Sequence, residues 1–387
     1  MLSVHGNLRL ASRLRAAATG RLAAGLGAAV LGGCCMKRTA APVRCVDGAS
    51  TSTACGAVQP AFKFGAIADV QYADVDDAWN YKRTAMRGYR GSLLVLRGAV
   101  EEWLQGPSLD FVADLGDIID QQCETKGESC GSLERVLEEW TPLAHVPVVR
   151  LVGNHELYNF SRADCARLIP HITPWYRSFT PAKGWRVVVL DPFDVNVIEK
   201  GGGKAVEEGM EYLSRFNPND LRAPRGTVDL SVGLDGLQRR FVPMGGGMSE
   251  PQLQWLRCEL HAARQACEQV VILTHLPLHP DATVPGALLW NYDEVLADIR
   301  AAQGTVALVL AGHYHNGGYV EDEGVHHVVL PSPLHACQEE LRAHCTVEVW
   351  EDRLELVGRG IVPSRTLALQ ERPRESSDAR AVDDARL

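Results

Sequence analysis

The 387-residue chain is 46% apolar and 22% charged, with a formal net charge of −9, an ordinary globular composition long enough for one large or two modest domains. Its charge is uneven: residues 1–46 carry seven basic side chains and no acidic one, so the remainder holds 32 basic and 48 acidic residues, a net of −16. An acidic body excludes broad nucleic-acid binding, which needs a basic footprint, and an anionic substrate would need local positive charge of the kind bound cations supply.

The first stretch sets Arg9, Arg13, Arg15, Arg21, Lys37, Arg38 and Arg44 among Ala and Ser. That is the composition of an organellar transit peptide. Residues 1–60 are therefore expected to be a targeting or disordered segment, addressed to a mitochondrion or plastid. An untargeted cytoplasmic chain and a secretory signal are the alternatives. "LAAGLGAAVLGGCCM" (22–36) is too short and too rich in Gly and Ala to span a bilayer, so no stable membrane insertion is expected. None of the eleven cysteines forms a C-x-x-C pair. They read as reduced thiols, with a Cys123–Cys130 disulfide as the best exception.

From residue 62 short apolar runs alternate with helical patterns, which implies an α/β sheet. "FKFGAIADV" is a first strand ending at Asp69. "YRGSLLVLRGAVEEWLQ" (89–105) carries a stripe of Leu93, Leu94, Leu96, Val100, Trp103 and Leu104 at helical intervals. "LDFVADLGD" (109–117) is a second strand and "GSLERVLEEWTPL" (131–143) a helix. Strands "VPVVRLVGN" (146–154) and "WRVVVLD" (185–191) follow. Residues 192–248 lose periodicity and read as an insertion over the core, with "EKGGGKAVEEG" as a flexible loop. It lacks the GxxxxGK[ST] spacing of a phosphate loop. Ser249 and Pro251 open a helix over 249–266. Strand "QVVILTH" (269–275), helix "YDEVLADIRAA" (292–302) and strand "TVALVLAGH" (305–313) come next. "HHVVLPS" and "CTVEVWEDRLELVGRG" read as antiparallel strands. The catalytic domain is placed at 61–365, and the polar tail over 366–387 reads as disordered.

Successive strand-like runs end in metal-capable groups: Asp69 with Gln71, Asp117, Asn154 with His155, His275, and His313 with His315. Each alone has a plain structural explanation, a turn residue or a hydrogen-bonded imidazole. Their repetition is different, because ligands of open α/β sheets gather beyond strand ends. Oxygen and nitrogen donors without thiolate suit Mn²⁺, Mg²⁺ or Zn²⁺.

"DVQ", "GDIID", "GNHE", "THLPLHP" and "GHYH", in that order, resemble the motifs of the metallophosphoesterase (calcineurin-like) superfamily, over roughly residues 62–362. "DVQ" where the superfamily usually has Asp-x-His, with "GNHELYNF", "LLWNY" and "GHYHNGGY…LVGRGIVP", resembles more narrowly the manganese-dependent ADP-ribose/CDP-alcohol diphosphatases. The resemblance implies a four-layer αββα sandwich of two mixed sheets flanked by helices. It implies two divalent ions, Mn²⁺ foremost. One would take Asp69, Gln71, Asp117 and His315; the other, Asp117, Asn154, His275 and His313. A hydroxide held between such ions can attack phosphorus at neutral pH. His155 would stand beside the scissile phosphate as proton donor, its ring held by Asp120. A neutral amide at Gln71 predicts a loosely held, oxygen-preferring ion, unless Gln71 serves only as a hydrogen-bonding neighbour.

Arg83, Arg87 and Arg90 in "NYKRTAMRGYR" are candidates for a distal phosphate, with Tyr81, Tyr89 or Trp290 for base stacking. A solvated face is the competing reading. His279 and Asn316 are expected to shape the site. The implied reaction is hydrolysis of ADP-ribose to AMP and ribose 5-phosphate, or of CDP-choline-like substrates to CMP and a phosphoalcohol, by a monomer acting on a small nucleotide. The alternatives are a phosphomonoesterase or cyclic-nucleotide phosphodiesterase of the same fold, or a non-catalytic scaffold. A protein phosphatase is disfavoured because "GDIIDQQ" lacks the Arg-Gly of that group.

Overall fold

The computed structural model of the protein describes residues 59–80, 83–223, 227–336 and 341–370. The expected targeting segment up to residue 58, Tyr81, Cys337 and the tail from 371 lie outside the described residues. The strands in chain order are β1 (Phe62–Ile67), β2 (Ala78–Trp79), β3 (Met86–Arg87), β4 (Phe111–Asp114), β5 (Val148–Arg150), β6 (Arg177–Phe179) and β7 (Trp185–Val189). They continue with β8 (Gln269–Leu273), β9 (Val306–Ala311), β10 (Gly318–Asp322), β11 (Val325–Val329), β12 (Ala343–Val349), β13 (Arg353–Gly360) and β14 (Arg365–Ala368).

Two six-stranded mixed sheets result. The first has the order β14-β13-β12-β1-β4-β5 and the second β10-β11-β9-β8-β7-β6; β2 and β3 form a separate hairpin. In the first, β1, β4 and β5 run parallel, with Ile67 opposite Asp114 and Asp114 opposite Arg150. In the second, β7, β8, β9 and β11 run parallel. Parallel strands bring their carboxyl ends to one rim, and the site residues follow those ends.

Alternation along β1 turns Phe62, Phe64 and Ala66 inward, where they join Phe111, Trp185, Val187, Val271 and Leu308 in the core between the sheets. Phe64 and Phe111 stack with centroids 4.8 Å apart, and Phe62 meets Trp185 edge-on at 5.8 Å. Outside, the helix Gly91–Gln105 buries Leu96, Ala99, Val100 and Trp103, and Glu250–Gln265 buries Leu253, Leu256 and Leu260. This is the expected αββα layering. Among the described residues no helix is long and apolar enough to cross a membrane.

Several elements depart from the sequence reading. Lys204–Ser214, inside the supposed loop, is a helix. An interior glycine and three preceding ones mask its pattern, yet Gly209 is required there, since a Cβ would lie 2.1 Å from the Asn196 carbonyl oxygen. The β2–β3 hairpin and β6 are too short for a period to show. β11, expected to pair only antiparallel, lies parallel to β9 and antiparallel to β10. β14 crosses the boundary expected at 365 and pairs with β13. Cys123 and Cys130 are both free thiols, so the proposed disulfide is absent; Cys123 instead directs its thiol to the Tyr72 carbonyl at 3.4 Å.

Candidate metal centre

The first sheet supplies Asp69 and Gln71 beyond β1, Asp117 beyond β4, and Asn154 beyond β5. The second supplies His275 beyond β8, and His313 and His315 beyond β9. Asp69, Gln71, Asp117 and His313 all adopt left-handed backbone, with φ of 55°, 42°, 59° and 68°. L-residues disfavour that region, so the fold holds these four in turns that aim side chains off the strand direction. At Gly153 the chain needs glycine for close approach: a Cβ would lie 2.2 Å from Asp117 Oδ1.

All seven side chains meet. Asp117 Oδ2 lies 2.9 Å from Gln71 Nε2 and 3.4 Å from His275 Nε2. His275 Nε2 is 3.3 Å from Asn154 Oδ1. Asp117, His275 and His313 offer donor atoms within 4.8 Å of one another. His315 Nε2 lies 3.0 Å from Gln71 Nε2 and 3.6 Å from Asp69 Oδ1. The Asp69 Oδ2 accepts from the His313 backbone N–H at 2.8 Å. Asp117 therefore stands between two groups: Asp69, Gln71 and His315 on one side, Asn154, His275 and His313 on the other.

The donor set fits cations. Asp69 Oδ1, Gln71 Oε1 and His315 Nδ1 are buried with no hydrogen-bond partner, a costly state for polar atoms unless something else binds nearby. Burial, with the Asp117 charge, pushes the Asp69 carboxyl up to about 7 against the pull of His275. Burial raises Asp117 too, but His275 and His155 outweigh it and hold this carboxyl well below the usual range. Burial pulls His275 down, yet Asp117 beside it holds the imidazole up at about 10. Burial and His275 push His313 down to about 3. Fully buried carboxylates crowded by imidazoles, without a thiolate, are groups that divalent ions would hold ionised.

His155 also sits here, its Nε2 3.9 Å from Asp117 Oδ2. The expected brace from Asp120 is corrected by the geometry. Asp120 Oδ2 is 3.5 Å from His155 Nδ1, whereas the Gln121 backbone N–H donates to that nitrogen at 2.8 Å. Asp120 Oδ1 is occupied by the Gln122 N–H at 2.9 Å. A neutral ring accepting at Nδ1 carries its proton on Nε2, facing the centre.

Glu156 is the residue the sequence reading passed over. Its carboxylate accepts backbone N–H bonds from Asp117 and Gly153 at 2.8 Å each and from Ile118 at 2.7 Å. Burial and the Asp117 charge push the carboxyl up to about 8, against which these three bonds pull. Its place three residues after the helix-opening Gly153 was the available signal, since Glu there reaches back to the cap N–H. Ser332 was also missed: its hydroxyl donates to the Asp69 carbonyl at 2.7 Å. No sequence pattern marks it.

The substrate-contact candidates divide. Arg87, on β3, lies beside Asp69, His315 and His335, and its Nε is buried without a hydrogen-bond partner. Arg90 is instead engaged by Asp74 and Asp76 at 2.6 Å each, and Arg83 is exposed. Trp290 is corrected outright. It is fully buried, stacks on Tyr212 with centroids 5.8 Å apart, and donates Nε1–H to the Val242 carbonyl at 3.2 Å. Tyr89 is likewise core, its hydroxyl bonded to Arg87 and Gln122. Neither ring has a free face for a base. His279 accepts from the Asp281 N–H and caps the turn Pro280–Ala282, while Asn316 is exposed beside His315.

The calcineurin-like phosphoesterase profile matches residues 62–317. A mouse protein named manganese-dependent ADP-ribose/CDP-alcohol diphosphatase is 38% identical over 338 residues, covering 82% of this chain and 96% of its own. An Arabidopsis thaliana protein of the same name is 37% identical over 310 residues, covering 78% and 94%. The crystal structure of a dimetal phosphatase from Danio rerio superposes with a TM-score of 0.74 at 36% identity, over 81% of this chain and 100% of that one. The chain belongs to the calcineurin-like phosphoesterases and, within them, to the manganese-dependent ADP-ribose/CDP-alcohol diphosphatase family.

Proposed function

We propose that this protein hydrolyses the phosphoanhydride of ADP-ribose, giving AMP and ribose 5-phosphate, and that of CDP-alcohols, giving CMP and a phosphoalcohol, with two Mn²⁺ ions as cofactors. The observation that carries the reading is the meeting of seven donor side chains around a shared Asp117. All come from one polypeptide, so the site is complete within one chain and a monomer would suffice for activity.

Asp69, Gln71, Asp117 and His315 would hold one ion, and Asp117, Asn154, His275 and His313 the other. For Gln71 to serve, its amide turns so that the unpartnered Oε1 exchanges places with Nε2. When bound, such a pair supplies Lewis-acid neutralisation of phosphate oxygens and lowers the pKa of water. The chain's own groups do the rest. His155 presents its Nε2 proton to the phosphoryl or leaving oxygen, in the tautomer fixed by the Gln121 N–H. Arg87 brings its guanidinium to the Asp69 side, where a second phosphate of the substrate would be neutralised.

The test is metal-dependent release of AMP from ADP-ribose, measured beside CDP-choline and a simple phosphomonoester, with Asp117→Asn as the inactive control. Turnover of the two diphosphates with Mn²⁺ is expected. Turnover of the monoester alone would overturn the diphosphatase reading.

A further inference from the structure

A histidine that binds a metal through one ring nitrogen almost always donates its other N–H to an acceptor, which fixes the ring and strengthens the ligand. His275 follows that rule, its Nε2 toward Asp117 and Asn154 and its Nδ1 2.7 Å from the Leu115 carbonyl. His315 does not. Its Nε2 faces Gln71 and Asp69, and its Nδ1 is buried with no partner.

Beside it lies an unused acceptor. The His335 ring packs edge-to-face on His315, with centroids 5.5 Å apart. It leans on the His315 backbone as a donor, while its Nε2 is buried and unpartnered. A neutral imidazole has one proton. Since Nε2 is the nitrogen without a partner, a proton directed at the backbone from Nδ1 would leave Nε2 a bare lone pair. One orphaned donor and one orphaned acceptor thus sit on adjacent rings. The His335 turn is fixed independently, because Ser332 donates its hydroxyl to the Asp69 carbonyl and its N–H to the His315 carbonyl at 3.0 Å.

We propose that His335 is a positioning residue for the metal centre, taking the His315 Nδ1 proton on its Nε2 and so holding His315 in its ligating orientation. The inference rests on the two-cation reading above and adds a residue to it. The proposed contact requires a small turn of the His335 ring toward His315, from the 5.5 Å edge-to-face packing of the two rings. The ion held by Asp69, Gln71 and His315 depends on it; the ion held by Asn154, His275 and His313 does not.

The experiment titrates the full-length, metal-stripped protein with Mn²⁺ alone and reads free Mn²⁺ by electron paramagnetic resonance, without substrate. Wild type is expected to bind two ions. His335→Phe keeps a ring but removes the acceptor, and should weaken one ion by about 10- to 100-fold while leaving the other unchanged. His335→Glu restores an acceptor and should keep both ions near wild-type affinity. Should the Phe variant not fold, judged by circular dichroism, His335→Met is read in the same way. Equal binding by wild type and His335→Phe, or equal loss in the Phe and Glu variants, overturns the proposal while leaving the two-cation reading intact. A wild-type chain that binds fewer than two ions overturns both. Failure to hydrolyse ADP-ribose, with the Mn²⁺ pattern as expected, unseats only the substrate.

Discussion

The Glu156 carboxylate and the Asp117 backbone are joined at both ends of the Asp117 peptide: Oε2 accepts the Asp117 N–H at 2.8 Å and Oε1 the Ile118 N–H at 2.7 Å. Oε2 also takes the Gly153 N–H, so one side chain ties the loop after β4 to the loop after β5. Glu156→Gln replaces an oxygen by an NH₂ that must face an N–H. The expected loss is about 2 kcal/mol of stability for the buried donor left unmade, with a clear fall in turnover. Thermal unfolding and ADP-ribose hydrolysis check it; an unchanged melting temperature would remove Glu156 from the frame of the site.

His155 and Asp120 should separate cleanly. Loss of a general acid costs about 10²- to 10⁴-fold, so His155→Ala should lower kcat on that scale. Asp120→Asn keeps an acceptor for the Gln122 N–H and leaves the Gln121 bond to His155 in place. Its kcat should fall less than about tenfold, outside the range of a lost proton donor. Equal losses in steady-state kinetics would restore Asp120 as the brace of the ring.

Gln71 gives a prediction about metal retention. Its Oε1 is a neutral donor, and imidazole binds late first-row divalent ions more strongly. Gln71→His should therefore slow loss of metal during dialysis against a chelator and shift preference toward Zn²⁺. Metal analysis before and after dialysis decides. Unchanged retention would place Gln71 outside the ligand set.

The protein should lose stability in mild acid through His327, at the middle of β11 and outside the set of proposed metal donors. It is 3% exposed, both ring nitrogens lack partners, and burial, with His279 next to it, pushes its pKa down to about 3. A folded-state pKa below the unfolded value of about 6.5 means that the unfolded chain takes the proton first. This contribution is present above pH 6.5 and is lost as pH falls toward 3, amounting to about 2 kcal/mol by pH 5. His327→Leu should flatten urea-unfolding stability between pH 6.5 and 5. An unchanged slope would locate the acid sensitivity elsewhere.

The sequence was most legible where chemistry sits on strands. β1, β4, β8 and β9 are short and almost wholly buried, so their apolar runs stood out and the polar residues after them marked the rim. Five strand ends were enough to assemble the proposed ligand set. What stayed hidden depends on contacts between distant segments. Asp120 stands near His155 in space although 35 residues away in sequence, yet the backbone N–H of Gln121 makes the bond. Trp290 had the chemistry of a stacking ring, and only packing against Tyr212 and Val242 shows that it is enclosed. Arg90 and Arg87 looked alike in one basic run. Asp74 and Asp76 claim the first, leaving the second beside the centre.

The donors are drawn from both sheets, four from one and three from the other, and only Asp117 is shared between the proposed ions. Any cation seated there is a clasp across the mouth of the sandwich, adding to the apolar core and the few hydrogen bonds that join the two layers. Stripping the metal should therefore do more than silence the enzyme. The rim where the sheets meet should exchange its amide hydrogens sooner, and the unfolding midpoint should climb with added Mn²⁺ as expected for a ligand bound to the folded state alone.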